Sequence, residues 1–381
     1  MDNFRRLSVH RASFRGMDLT VTTNHLAAAA ADLVRLVPGK LIDPVLGGVL
    51  ITADADGVVL GANDRERTAR RSCAALVHAD GQVLVPGKPL ADTLRALTQP
   101  QVRLVVEGSR LAIRAEGARF ALPLLEVSAH PGVGAAAGGG GSVPGALLAA
   151  ALATVAASAS RDEALPIFTG VRVRSEDSRL VLRATDRYRM TIASLPWVPG
   201  EPVDVMVPAT LLAEVGRQVA GVGDVHLLAA ENQLTLSWPD TTVTTAILDG
   251  SFLSETKLAL SAVDTHIELD ADTLAAATRR VALYSDSWGV IRLEVGDSEV
   301  RLRAADQHSG EAEESLKATV TDGRTSPSYR ARYLLDALRP FAGTRIRLAI
   351  QPGMRATVIT SVEPGEVEIR YILMPMLPPK S

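Results

Sequence analysis

Aromatic residues make up only 4% of the 381-residue chain, so any core must be built from aliphatic side chains. Cys73 is the single cysteine, which excludes an intramolecular disulfide framework and suits a reducing, cytoplasmic setting. Uninterrupted apolar runs of membrane-spanning length are missing, and no signal peptide is expected. The seven histidines are scattered, without HxxxH or CxxC spacing, so no metal or other cofactor is expected. A nucleophile elbow is absent. The glycine-rich GVGAAAGGGGS (132–142) runs into Ser-Val-Pro where a phosphate-binding loop requires Lys-Ser/Thr. Excess positive charge is lacking too: the net charge is −3, which excludes a generally basic nucleic-acid binder but leaves room for a local basic surface. Glu311, Glu313 and Glu314 read as a charged surface rather than a paired-carboxylate site. A non-catalytic protein is the expectation.

What is present is a threefold repeat. VPGKPLADTLRAL (85–97), VPATLLAEVGRQV (207–219) and YRARYLLDALRPF (329–341) place Leu90, Leu212 and Leu334 at intervals of 122 residues, and Asp92, Glu214 and Asp336 share that interval. Their apolar positions recur three and four apart, the pattern of an amphipathic helix. An earlier helix recurs in NHLAAAAADLVRLV (24–37), PGALLAAALATVAASAS (144–160) and DTLAAATRRVALYS (272–285), with Leu26, Leu148 and Leu274 equivalent. Alternating β-branched runs such as RLVLRATD, EVRLRAAD, RLAIRAEGARFAL, QLTLSW and ATVIT have the period of half-buried strands. Each unit of about 120 residues is therefore helix, strands, helix, strands. The fold class is α+β. The expected organisation is a flexible N-terminal arm (1–16), a first domain (17–134), a Gly-rich linker (135–142), a second domain (143–262) and a third (263–381).

One motif needs the repeat to be understood. RATDRYRM (183–190) packs a hydroxyl, a carboxylate, guanidiniums and a phenol into eight residues, and could pass for an active site. Its counterparts are GANDRERT (61–68) and RAADQHSG (303–310). An aspartate present in every copy (Asp64, Asp186, Asp306) is expected to form a turn by accepting backbone N–H groups. Its neighbours are unique to the second copy, and there a distinct function is expected.

LPIFTGVRV (165–173), ATDRYRM (184–190), RYLLDAL (332–338) and the terminal YILMPM (371–376), in this order within a threefold repeat, resemble the bacterial DNA polymerase III beta subunit family, the sliding clamps. The resemblance spans about Met17 to Met376, and the Arg-Tyr form of the middle motif is similar to actinobacterial members. It implies three tandem copies of a helix/antiparallel-sheet clamp domain, the DNA clamp fold, closing into a six-domain ring as a head-to-tail homodimer. Such a ring is a polymerase processivity factor encircling duplex DNA without reading its sequence. Lys40 and Lys88 fall where the family usually carries a DNA-facing basic residue; Arg95, Arg161, Arg217, Arg279, Arg280 and Arg339, with Arg332, lie on or beside the predicted helices that would line the hole and are expected to face DNA as well. Ala209-Thr210 stands where the family places a basic residue after the Pro. Phe120, Ala282 and Leu283 match the subunit join. The peptide-binding pocket, where the polymerase alpha subunit and clamp-loader subunits dock by short linear motifs, maps to Phe168, Thr185, Arg187, Tyr188, Arg189, Met190, Leu253, Lys257, Leu258, Met374, Pro375 and Met376. Here the chain departs from the pattern: Phe168 replaces a Leu, Phe252-Leu253 a Phe-Pro, Tyr329-Arg330 a Phe-Asn, and MPMLPPKS the usual ending. The departures imply a paralogue with altered partner or inhibitor binding, a spare clamp that tolerates an antibiotic. The alternative is a clamp-fold scaffold or regulator that no longer encircles DNA.

Overall fold

Val-Pro pairs mark the switch from strand to helix. The strands Gly81–Pro86, Gly141–Pro144 and Asp204–Pro208 each end on a proline with φ between −61° and −57°, and the helices Gly87–Ala96, Gly145–Val155 and Ala209–Val219 start on the next residue. The pyrrolidine fixes φ, and the missing N–H is one that a helix start would leave unpaired. The helix Ala271–Val281 starts differently: Asp270 Oδ1 accepts the Thr273 N–H at 2.7 Å. In the computed structural model, residues 16–38, 43–134, 140–162, 164–230, 232–250, 252 and 262–376 are described. Lys40, Leu253, Lys257, Leu258 and the arm up to residue 15 lie outside them.

The chain forms two compact units, residues 1–137 with 239–245, and residues 138–238 with 246–381. In the first, Thr23–Leu36 packs on Gly87–Ala96. A five-stranded antiparallel sheet runs in the order Leu76–Ala79, Asp18–Thr22, Gln101–Glu107, Arg110–Ala115, Ala118–Pro123. A second sheet region places Thr241–Ala246, Arg67–Cys73, Gly57–Asn63, Gly48–Asp54 and Gly81–Pro86 side by side.

The second unit contains two further helix pairs, Gly145–Val155 against Ala209–Val219 and Ala271–Val281 against Ala331–Leu338. The equivalent leucines Leu26, Leu148, Leu274, Leu90, Leu212 and Leu334 are all at most 2% exposed. The repeat is thus a repeat of core positions; leucine, valine and alanine make up most of the core, although its largest fully buried side chains are the aromatics Tyr329, Tyr371 and Phe341. A nine-stranded sheet joins second-copy and third-copy strands: Asp204–Pro208, Gly170–Glu176, Arg179–Thr185, Arg189–Pro196, Glu368–Leu373, Thr357–Ser361, Arg345–Ile350, Thr265–Asp270, Thr319–Asp322. The pairing that matters for function is Arg189–Pro196 with Glu368–Leu373, in register from Arg189↔Leu373 to Ser194↔Glu368. It brings residues 183–190 beside the tail 371–376. The unit also holds Gly141–Pro144, Asp224–Ala230 and Gln233–Trp238 side by side, and a four-stranded sheet of Gly310–Lys317, Glu299–Asp306, Val290–Val295 and Ser328–Arg330.

Two differences from expectation have local causes. The stretch 135–142, expected as a flexible connector, is already ordered strand at Gly141, where a Cβ would meet the Trp197 ring at 1.9 Å. Gly141 is therefore a close-packing glycine as much as a connector residue. The segment 272–285 is α-helical only to Val281; Ala282–Tyr284 is a single 3₁₀ turn, and Ser285 is extended.

Candidate peptide and DNA interfaces

The recurrent aspartate builds the same turn in the first two copies. Asp64 Oδ1 accepts the N–H groups of Glu66 (3.0 Å) and Arg67 (2.7 Å), while Asp186 Oδ1 accepts those of Tyr188 and Arg189, both at 3.0 Å. The preceding side chain accepts one more: Asn63 Oδ1 from Arg65 N–H at 2.8 Å, and Thr185 Oγ1 from Arg187 N–H at 3.1 Å. Three bonds hold the arginine after each aspartate in the left-handed region, at φ 78° for Arg65 and 80° for Arg187. In the third copy Asp306 accepts His308 and Ser309 N–H, but Ala305 pairs with Glu311 where Thr185 pairs with Met190, so the turn is one residue longer and Gly310 takes the positive φ. These two backbone bonds hold the Asp306 carboxyl below its ordinary range.

In the second copy this turn carries an exposed aromatic and guanidinium cluster. Arg187 lies 5.7 Å from the Phe168 ring centre and 5.9 Å from that of Tyr188. Tyr188, half exposed, stacks on Tyr333 at 6.1 Å with the planes 19° apart. The Tyr333 ring has Arg189 and Arg332 at 5.0 Å and Arg330 at 5.6 Å. Met374 is exposed beside them, because its N–H bonds to the Tyr188 carbonyl at 2.9 Å. Met376 bonds to Ser328 through its N–H, and Pro375 between them is buried. Phe168 is held by a short helix, Pro166–Thr169, and is partly buried.

Other residues expected in the slot have different surroundings. Thr185 is buried and its hydroxyl donates to the Arg189 carbonyl at 2.7 Å, so it locks the turn. Met190 is buried with Val358 and Ile372, with Phe252 packed against them, and forms a floor rather than a rim. Arg189, expected in the pocket wall, has a side chain only 13% exposed and does not stand at the rim. It bonds Asp186 at 3.0 Å, Asp336 at 2.5 Å, the Ala157 carbonyl at 3.1 Å and the Tyr371 hydroxyl at 3.3 Å. Burial disfavours its charge, yet the Tyr371 oxygen and the two carboxylates outweigh that and hold the guanidinium more firmly protonated. Burial pushes the Tyr371 hydroxyl up. Arg189 thus ties the second copy to the third, and only Arg187 of the motif's later arginines projects outward.

Tyr333 and Trp288 were not expected at the site, and Arg330 was expected only as a departure from the family pattern. The signal for Tyr333 was an aromatic on the polar side of a helix whose buried positions are Ala331, Leu334, Ala337 and Leu338. A cavity of 420 Å³ lies among Arg172, Met206, Leu248 and Phe252, and no described residue of the expected slot lines it.

The basic residues expected to face DNA are all exposed where described. They differ in pairing. Lys88 and Arg95 share Asp92 at 2.8 and 3.4 Å, Arg217 meets Glu214 at 2.6 Å, and Arg280 meets Glu314 at 2.5 Å. Arg161, Arg279 and Arg339 have no carboxylate partner among the described residues. Ala209 is buried, so of the pair that departs from the family pattern only Thr210 reaches the surface. Phe120 is exposed on the edge strand Ala118–Pro123, and Leu283 is 74% exposed on the turn Ala282–Tyr284. Glu313, in the acidic stretch, pairs with Arg301 and Arg303. Among the described residues no group of three or more His, Cys, Asp or Glu could hold a metal ion, and no helix is long and apolar enough to cross a membrane.

Comparison with known proteins agrees with this architecture along the whole described chain. Residues 17–133, 142–254 and 261–377 match the N-terminal, central and C-terminal domains of the DNA polymerase III beta subunit. The beta sliding clamp of Micrococcus luteus is 31% identical over 309 residues, 80% of this chain and all of that protein. A beta sliding clamp homolog of Streptomyces muensis, GriR, is 28% identical over 87% of this chain and 92% of its own. In fold, the Thermotoga maritima beta subunit superposes with a TM-score of 0.88 at 18% identity, over 95% of this chain and all of the other. A Pseudomonas aeruginosa sliding clamp bound to griselimycin gives 0.87 at 21% identity, with the same coverage. The chain belongs to the DNA polymerase III beta subunit family, the bacterial beta sliding clamps.

Proposed function

We propose that this protein works as a non-catalytic processivity clamp in the cytoplasm, closing head-to-tail as a homodimer around duplex DNA. Polymerase alpha and clamp-loader subunits would be tethered through short peptides laid against Phe168, Arg187, Tyr188, Tyr333 and Met374. The observation that carries this reading is the joining of the second and third copies through Arg189–Pro196 and Glu368–Leu373, which sets the exposed cluster beside the tail. The strands Ala118–Pro123 and Gly310–Lys317 each have one neighbour among the described residues, leaving an edge for a second copy beside exposed Phe120 and Leu283. Lumen contacts would be sequence-neutral and salt-sensitive.

The test is retention on DNA. Loaded onto a nicked circle, the protein should stay bound, and linearising the circle should release it. No retention on the circle would favour the second reading, a clamp-fold scaffold that has stopped encircling DNA. That reading draws on Thr210 and on the carboxylates that already neutralise Lys88, Arg217 and Arg280. A spare clamp with altered inhibitor binding is the finer proposal, resting on Phe168 and Arg330. Griselimycin bound as tightly as by an ordinary clamp would remove it.

A further inference from the structure

Arginines of the second unit are mostly committed to carboxylates. Arg172 pairs with Asp204, Arg179 with Glu368, Arg303 with Glu294 and Glu313, Arg324 with Asp297, and Arg347 with Glu268. Arg187, Arg330 and Arg332 are exceptions: among the described residues none has a carboxylate partner, and each stands against an aromatic ring. The nearby carboxylates Asp186 and Asp336 are both taken by Arg189. Because Tyr188 and Tyr333 stack, these three guanidiniums form one continuous surface, and Arg189 beneath it already offsets Asp186 and Asp336. Arg330 is also fixed by donating from Nε to the Trp288 carbonyl at 3.1 Å, and the Trp288 side chain is 63% exposed.

A guanidinium stacked on a ring keeps its N–H edge free for a planar, two-pronged hydrogen bond to a carboxylate. We propose that this surface selects acidic peptides, with Asp or Glu side chains engaging Arg187, Arg330 and Arg332 while interspersed Leu or Phe residues pack on Phe168 and Met374. The inference rests on the peptide-docking reading and adds a charge requirement to it. Single-stranded nucleic acid is the less favoured anion. Its bases need open ring faces, and here Tyr333 is faced by guanidiniums and stacked on Tyr188, while Phe168 faces Arg187.

The experiment compares two fluorescein-labelled eight-residue peptides by polarisation on the full-length protein. One alternates Asp or Glu with Leu and Phe; its twin carries Asn and Gln instead. Two or three exposed charge contacts should make the acidic peptide roughly tenfold tighter at about 50 mM salt, with the gap closing at about 500 mM. Arg330→Gln with Arg332→Gln, at unchanged melting temperature, should shrink the gap to about threefold or less. Equal binding of the twins would overturn charge selection and leave peptide docking intact. Failure of both peptides to bind would remove the docking reading and this inference with it. A labelled oligothymidylate that bound more tightly than the acidic peptide would overturn the inference in favour of nucleic acid.

Discussion

Arg189→Met isolates what a single buried cation contributes to the joint between the second and third copies. Methionine is unbranched and fills much of the space, so lost bonding dominates over lost volume. Asp186, 13% exposed at its side chain, would lose its counter-charge but keep two backbone N–H donors, for a residual penalty of about 1–2 kcal/mol. Asp336 is 45% exposed, so water replaces the guanidinium there and the loss is about 0.5 kcal/mol. The bonds to the Ala157 carbonyl and the Tyr371 hydroxyl add about 1 kcal/mol together. The expected total is about 3 kcal/mol, and a unit of this size loses about 2–4 °C of melting temperature per kcal/mol, hence about 6–12 °C. Urea unfolding and calorimetry would measure it, with Arg187→Met as control. That side chain is exposed and among the described residues makes only ring contacts, so its substitution should cost within about 0.5 kcal/mol. Asp336→Asn, alone and combined with Arg189→Met, should give a coupling of about 0.5–1 kcal/mol. If Arg189→Met and Arg187→Met proved indistinguishable, Arg189 would be a rim residue after all, and its role as an internal tie would be refuted.

Gly141→Ala should destabilise the protein by about 2–3 kcal/mol in urea unfolding, because the added methyl meets the buried Trp197 ring at 1.9 Å; a neutral effect would restore a purely flexible connector. Tyr329→Phe removes the hydroxyl that shares a 2.5 Å hydrogen bond with buried Thr357, and should cost about 1–2 kcal/mol by the same assay. Acid should weaken the fold in a defined window. Hydrogen bonds from Arg172 to Asp204, from Arg103 to Asp18 and from backbone N–H groups to Asp306 hold these carboxyls below the ordinary value of 3.8. Folded values below unfolded ones mean that the stabilisation is complete above that value and is lost as pH falls beneath it. The urea midpoint should therefore hold from about pH 7 to about pH 4 and fall below that, and a midpoint unchanged at about pH 3 would count against these pairings.

How far the sequence could be read depended on whether a feature repeats. Leu90, Leu212 and Leu334 announce the same helix three times, and the structure buries all three, so period and composition sufficed. The turn aspartates were legible for the same reason, since one residue type in three equivalent places points to a backbone requirement and not to chemistry. Departures from the repeat were harder. Asp92, Glu214 and Asp336 look equivalent, yet the first pairs with exposed Lys88, the second is buried beside Arg217, and the third reaches Arg189, 147 positions away. Only strand pairing between Arg189–Pro196 and Glu368–Leu373 makes that last contact possible, and register between distant strands leaves no local mark. The same pairing explains why Arg189 reads as a rim residue in a motif of polar neighbours but is internal in the fold. It also explains Tyr333: its helix periodicity marks it as outward, and nothing nearby in sequence shows that Tyr188 will lie against it. The parts of the site inherited from the repeat were therefore visible residue by residue, whereas the parts that distinguish the second copy arise where it meets the third.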